Sequence, residues 1–228
     1  NNISIKNLVF SDDYKIKSVD EVDVNFFNKN QILNNFKIKR KLNNYDIKGY
    51  HIDGERLVES LINDNKKNSI LKLFKNINPS ITLNINKIYL EKNEYLEKFV
   101  GTMNFKNNKL FLAKINGVLD EKNKFSYSLR TTLKDERITN IFIKEPKPFI
   151  NNYKFIKGFE DGELNLVSIK IENTSRSNLK ITNFKVKEVP ILAKILTLAS
   201  LQGIADLLTG EGIRFNEFEM DFKTKNNL

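Results

Sequence analysis

The sequence predicts a mainly β protein, an antiparallel meander with a few helices, and three observations carry that prediction. Apolar and polar residues alternate with period two in about eleven short runs, as strands with one dry and one wet face require. Turn-formers such as "DEKN" and "KNN" link many of the runs, and such links are too short for the crossover that a parallel pair needs. Helical periodicity is confined to a few segments, one of them strongly apolar.

Taken in order, the chain opens with the strand-like runs "NISIKNLVF", "YKIKSVDEVDVNF", "NNFKIKRKL" and "YDIKGYHI". "DGERLVESLIND" then predicts a short helix near 53–63, with Asp53 as its N-cap and Leu57, Leu61 and Ile62 on one stripe. "NSILKLFKNI" continues it as a second short helix that ends before Pro79. In "SITLNINKIYLE", Ile81, Leu83 and Ile85 share a face, whereas Ile88 and Leu90 follow the other parity. That switch predicts a bulge near Asn86 and Lys87. "KLFLAKINGVL" and "RITNIFIK" flank "KFSYSLRTTL", whose inward set is Phe125, Tyr127, Leu129, Thr131 and Leu133. "EPKPFINNY" reads as a turn of helix or an irregular corner, before the strands "GELNLVSIKIE" and "NLKITNFKVKE" and a last strand over 213–223.

Between those last strands lies "VPILAKILTLASLQGIADLLTGEGIRF", a long apolar helix near 190–209, with Pro190 at the first helical position and Gly210 at the stop. Its length suits a bilayer span. Lys194 and Asp206 lie inside it, each costing roughly 2.5–3.5 kcal/mol near a membrane helix centre, and a strand resumes at once beyond it. The segment is therefore expected to pack on the sheet or at its end. Residues 1–228 read as a single β-rich segment, an excerpt of a longer protein.

Composition narrows the function classes. The net charge is +10, yet only six of the 38 basic residues are Arg, and the Lys residues are dispersed among acids. A phosphate-reading surface favours Arg forks, so specific nucleic-acid binding is not expected. No cysteine is present, which removes disulfides, thiol nucleophiles and thiolate metal sites. His51 is the single histidine; with Asp53 and Glu55 it is the one candidate for a metal ligand or general base, against its reading as a strand-end polar residue. The acidic pairs Asp12 with Asp13 and Glu160 with Asp161 adjoin turn signals and read as solvated turns. Gly210 to Gly212 has neither the spacing nor the following helix of a dinucleotide loop. Nothing here supports catalysis, a metal or a cofactor, and a non-enzymatic role is the expectation.

The stretch "FKVKEVPILAKILTLASLQGIADLLTGEGIRFNEFEMDF" resembles the C-terminal portion of the AsmA-like family, envelope proteins of the AsmA, TamB and YhdP type. The shared pattern is a strand, a Val-Pro entry, an apolar helix carrying Leu-Ala-Ser-Leu-x-Gly, a Gly-x-Gly exit and a strand beginning Ile-x-Phe. "YHIDGERLVESL" and "FEDGELNLVSIKIE" are similar to elements upstream of that helix in the family.

The resemblance implies an elongated twisted sheet folded into an open apolar groove, in a protein of the Gram-negative periplasm anchored to the inner membrane by a region outside this fragment. It also implies passage of phospholipid toward the outer membrane, with acyl chains as the ligand. An amphipathic meander with little helix to cover it agrees, because acyl chains can replace a second layer. The expected lining is Leu83, Ile85, Phe125, Tyr127, Leu129, Leu164, Leu166, Ile181, Phe215, Phe218 and Phe222. The alternative is a structural envelope scaffold or outer-membrane assembly factor that works by strand addition at an exposed sheet edge.

Overall fold

A computed structural model describes residues 1–54, 78–90, 94–107, 109–119, 123–152, 158–187 and 212–225. The strands are β1 (Asn2–Lys6), β2 (Val9–Phe10), β3 (Ile16–Ser18), β4 (Glu21–Phe27), β5 (Leu33–Lys41), β6 (Asn44–Asp53) and β7 (Ser80–Tyr89). They continue as β8 (Tyr95–Lys106), β9 (Lys109–Leu119), β10 (Asn123–Thr131), β11 (Arg137–Lys144), β12 (Phe159–Ile171), β13 (Thr174–Val186) and β14 (Ile213–Lys225). One short helix, α1 (Lys147–Asn152), lies between β11 and β12. Twelve strands form one open, twisted sheet in the order β1, β4 to β14, while β2 and β3 make a separate hairpin.

The predicted meander holds with one exception. Strands β6 and β7 are parallel, in register from Tyr45 with Ile81 to Asp53 with Tyr89. Residues 54–79 link them, a connection long enough to return the chain to its starting end, which the short hairpin links elsewhere cannot do. The two short helices predicted near 53–63 and over 68–77, and the long apolar helix near 190–209, fall on residues outside the described set, apart from Asp53 and Gly54. Asp53 ends β6, and the Gly54 N–H donates to the Tyr89 carbonyl at 2.8 Å. Among the described residues no helix is long and apolar enough to cross a membrane.

Smaller departures have local causes. "NISIKNLVF" breaks into β1 and β2 where Asn7 turns left-handed (φ 51), and "YKIKSVDEVDVNF" divides into β3 and β4 around Val19 and Asp20. Leu133 is not an inward strand residue; β10 ends at Thr131, and Leu133 stands exposed in the turn. The parity switch in β7 is real, with Ile85 and Ile88 both buried, yet the pairings of β7 run without a shift. The bulge sits in the neighbouring β8, where Lys98 is left-handed (φ 49) and the register to β9 slips between Glu97 and Val100.

Register is the organising feature. Ile5, Val22, Ile38, Ile47, Leu83, Gly101, Ile115, Tyr127, Ile141, Leu166, Leu179 and Met220 are successive cross-strand partners through all twelve strands. One residue over, on the opposite face, the row is Lys6, Glu21, Lys39, Asp46, Thr82, Thr102, Lys114, Ser128, Asn140, Val167, Asn178 and Asp221. Because side chains alternate with period two, one row is apolar and the other, Val167 excepted, polar. Gly101 interrupts the dry row because a Cβ there would stand 2.4 Å from the Lys114 carbonyl oxygen and 2.8 Å from the Ile115 Cα. Those are backbone atoms that cannot swing aside. Gly101→Ala is accordingly expected to cost about 2–3 kcal/mol in urea unfolding; a loss below about 0.5 kcal/mol would show that the close approach is not a constraint.

Candidate functional site

The dry face is built from three adjacent rows. Beside the row through Leu83 and Tyr127 runs a second, one pair along each strand: Ile3, Val24, Phe36, Gly49, Ile85 and Phe99 on the first six strands. It resumes as Gly117, Phe125, Ile143, Leu164, Ile181 and Phe218. A Cβ on Gly117 would lie 3.6 Å from the Phe99 ring, which joins the two halves. The third row, on the other side, passes through Tyr45, Ile81, Met103, Ala113, Leu129, Thr139, Ser168, Ser177 and Phe222. It turns polar over β11 to β13, where the Ser177 hydroxyl donates to the Ser168 hydroxyl at 2.8 Å.

The apolar face survives a crease in the sheet. Just past the row through Ile143 and Ile181, Glu145, Asp161, Gly162 and Asn183 all adopt left-handed backbone (φ 54, 61, 86 and 53). Asp161 pairs with Phe184 and Glu163 with Thr182, so the ladder keeps its register across the break. The left-handed residues in β12 and β13 return the next apolar residue to the same side: Phe159 and Phe184 are buried there with Val186. Phe159, Phe184 and Phe215 stack across three strands, with centroids 5.3 and 5.1 Å apart and planes 15° and 12° from parallel. Ile150 of α1 packs into this cluster.

All eleven predicted lining residues share the face. Ten occupy the three rows, and Phe215 joins the phenyl stack. Their exposure differs sharply. Leu83, Ile85, Phe125, Tyr127, Leu129 and Ile181 are buried, Leu164, Leu166 and Phe215 half-buried, and Phe218 and Phe222 exposed. The dry rows are therefore enclosed in their middle and open at both ends, where Ile3 is 57% and Phe218 36% exposed. Sequence reading passed over β8 entirely, although Leu96, Phe99, Met103 and Phe105 are buried there. The bulge at Lys98 breaks the alternation, and spacing alone gives no sign of it; the signal is the matching parity switch in β7.

The candidate chemical groups lie apart from the dry face. His51 pairs with Lys87 in the parallel ladder and sits 6.0 Å from the Tyr89 ring; among the described residues its Nδ1 has no hydrogen-bond partner. Lys87 lies 4.0 Å over the Tyr95 ring and 3.1 Å from Glu97, and its pKa is raised by Tyr95 first and Glu97 second. The Asp53 carboxylate accepts from Asn28. Among the described residues no three His, Cys, Asp or Glu side chains stand together as a metal site would require.

Asp12 and Asp13 occupy the β2–β3 turn as expected, with Asp13 held at about 2 by the Ser11 hydroxyl and then Lys15. Glu160 and Asp161 do not form a turn. They lie within β12 at the crease, Glu160 with Lys187 (2.9 Å) and Lys147 (3.5 Å) and Asp161 with Lys185 (3.6 Å). Glu21, ringed by Lys6, Lys37 and Lys39, is held below its ordinary range chiefly by the Lys6 hydrogen bond, and Glu160 likewise by Lys187. Lowered carboxylates and raised lysines keep their charge at neutral pH, which keeps this face solvated. A concavity of about 500 Å³ over Gly49 opens on that wet face, lined by Asp23, Lys37, Lys48, Asn84 and Asn86 among others.

Comparison with family models, curated proteins and solved structures finds no match for this chain. The gradient of burial along the rows gives a direct check. Phe99→Ala, in the enclosed middle, should cost about 3–5 kcal/mol in urea unfolding, and Phe222→Ala, at the open end, under about 1 kcal/mol. Equal costs would mean the face is closed throughout.

Proposed function

We propose that this chain is a non-enzymatic, phospholipid-handling segment whose continuous apolar rows accept acyl chains. The supporting observation is that two apolar rows extend from β1 to β14, one interrupted at Gly101 and the other carried across the β8 bulge by the Phe99–Gly117 approach, and leave apolar side chains exposed at both edges. A core built only for stability has no need to extend to both rims, because edge positions gain little from burial. Twelve strands at about 4.8 Å spacing make rows roughly 50 Å long, more than the roughly 30 Å hydrocarbon core of a bilayer. Acyl chains would find methyl and phenyl groups at the open ends of the rows, while the Lys and Asn face keeps the outside in water. The AsmA-like resemblance adds the setting: the periplasm, inner-membrane anchoring by a region elsewhere in the protein, and a role in outer-membrane homeostasis.

A second reading, the envelope scaffold, is favoured by one observation: β14 is a thirteen-residue edge strand with Phe218 and Phe222 exposed on one side and Glu217, Glu219 and Asp221 on the other. Such an edge suits addition of a strand that alternates apolar and basic residues.

Lipid extraction of the purified chain followed by mass spectrometry separates the readings. Phospholipid should co-purify, and Phe218→Asp with Phe222→Asp should reduce it several-fold while leaving stability within about 1 kcal/mol, since both side chains are already partly solvated. Leu129 and Ile181 are poor positions for this test because a charge there would be buried. Absence of bound phospholipid, with partner-dependent protection of β14 amides, would instead establish the scaffold.

A further inference from the structure

One corner of the sheet combines two features that the apolar rows do not explain. The β2–β3 hairpin and the β5–β6 turn reach the same rim, since β1 and β5 both run toward it and β4 and β6 away from it. Tyr14 at the hairpin tip is 92% exposed, Leu42 in the β5–β6 turn 89%, and Phe10, which ends β2 just before the hairpin tip, 56%. Tyr14 and Leu42 are also left-handed, both at φ 57, a conformation that Asn or Gly adopts at lower cost. Large apolar side chains thus stand at two tips where neither solvent nor backbone favours them.

Beside the Leu42 turn lies a cavity of about 260 Å³ whose lining, among the described residues, includes Lys17, Ser18, Arg40, Asn43 and Tyr45 and no carboxylate. Arg40 ties the cavity to the tip: its Nε donates to the Leu42 carbonyl at 2.7 Å, and its Nη1 lies 3.3 Å from Asp20. That ion pair is partly solvated and weak, and the guanidinium has five N–H donors, so Arg40 can hold a second anion without giving up either contact.

We propose that this corner docks on a bilayer, with Phe10, Tyr14 and Leu42 entering the interface and the cavity taking the phosphate of an anionic phospholipid headgroup. Tyr suits that boundary because its ring is apolar and its hydroxyl polar, and Lys17 and Arg40 supply the matching charge. The match of apolar tips to an adjacent cationic, donor-lined cavity selects a lipid surface over a soluble anion, which has no use for the tips. The docking is independent of whether the apolar rows carry acyl chains.

Co-sedimentation of the intact chain with phosphatidylcholine vesicles, with and without phosphatidylglycerol, tests the proposal. Binding should be stronger with phosphatidylglycerol. Tyr14→Asn with Leu42→Asn should weaken it roughly tenfold, with the melting temperature unchanged or raised because Asn suits both left-handed positions. Lys17→Gln with Arg40→Gln should remove the preference for phosphatidylglycerol; if that pair unfolds, Lys17→Gln alone carries the comparison. Leu133→Asn, at the β10–β11 turn, should change nothing.

The proposal fails if the wild-type chain ignores vesicles, if the tip variant binds like wild type, or if Leu133→Asn loses as much, which would mean diffuse stickiness. It also fails if inorganic phosphate at matched ionic strength displaces all vesicle binding, which would make the cavity a soluble-anion site. A chain that binds vesicles but carries no co-purified phospholipid would remove the acyl-chain reading and leave this one standing.

Discussion

Continuity of register is the constraint on which the rest of this structure depends. Each strand has one apolar and one polar face, and a slip of one residue in any of the eleven ladders would place a Lys or Asn row in line with an Ile or Phe row. The dry face is therefore a collective property. Ile115 is fully buried only because Gly101 on one side and Tyr127 on the other present the same parity. The bulge at Lys98 and the left-handed crease through Glu145, Gly162 and Asn183 belong to the same logic. They bend the sheet while returning every strand to the same face.

The wet face follows from the same register. Glu21 meets Lys6 and Lys39 as direct ladder neighbours, and Lys180, opposite Glu219 in the ladder, reaches diagonally to Glu217 at 2.8 Å. Such exposed pairs contribute little stability individually. Their effect is to keep a broad Lys-rich surface from repelling itself, which is how a chain of net charge +10 supports a single extended sheet.

Much of this was legible in the sequence where alternation was undisturbed. The sets in "SITLNINKIYLE" and "KFSYSLRTTL" predicted Leu83, Ile85, Phe125, Tyr127 and Leu129 on one face, and they lie there. Alternation could not reveal β8, since Lys98 takes the extra bulge residue and Leu96 and Phe99 fall out of phase. Nor could it reveal which end of each row is open, because exposure depends on a strand's place in the sheet. Phe125 and Phe218 read alike in sequence, yet one lies in the interior and the other at an edge. The corner cavity was illegible for a related reason: Lys17, Arg40 and Tyr45 come from three strands, and no local motif joins them.

The single parallel pair gives the sheet a history as well as a shape. Every antiparallel ladder but one joins strands linked by a turn or by one connecting segment on the same rim, and most can zip from their turns at small entropic cost. The β6–β7 ladder instead holds partners thirty-six positions apart, such as Ile47 with Leu83, and closes only across residues 54–79. Loop-closure entropy makes a link roughly six times longer than a tight hairpin's about 1.6 kcal/mol costlier to close. The chain is thus two zippers, β1 with β4 to β6 and β7 to β13, that become one sheet at a seam, with β14 added across an equally long link, residues 187–212. At that seam Gly49 faces Ile85, and on its other side a Cβ would stand 2.4 Å from the Phe36 Cβ and 2.5 Å from the Asn35 carbonyl oxygen. The two halves of the apolar rows are joined there, by contacts distant in sequence and therefore slow to form.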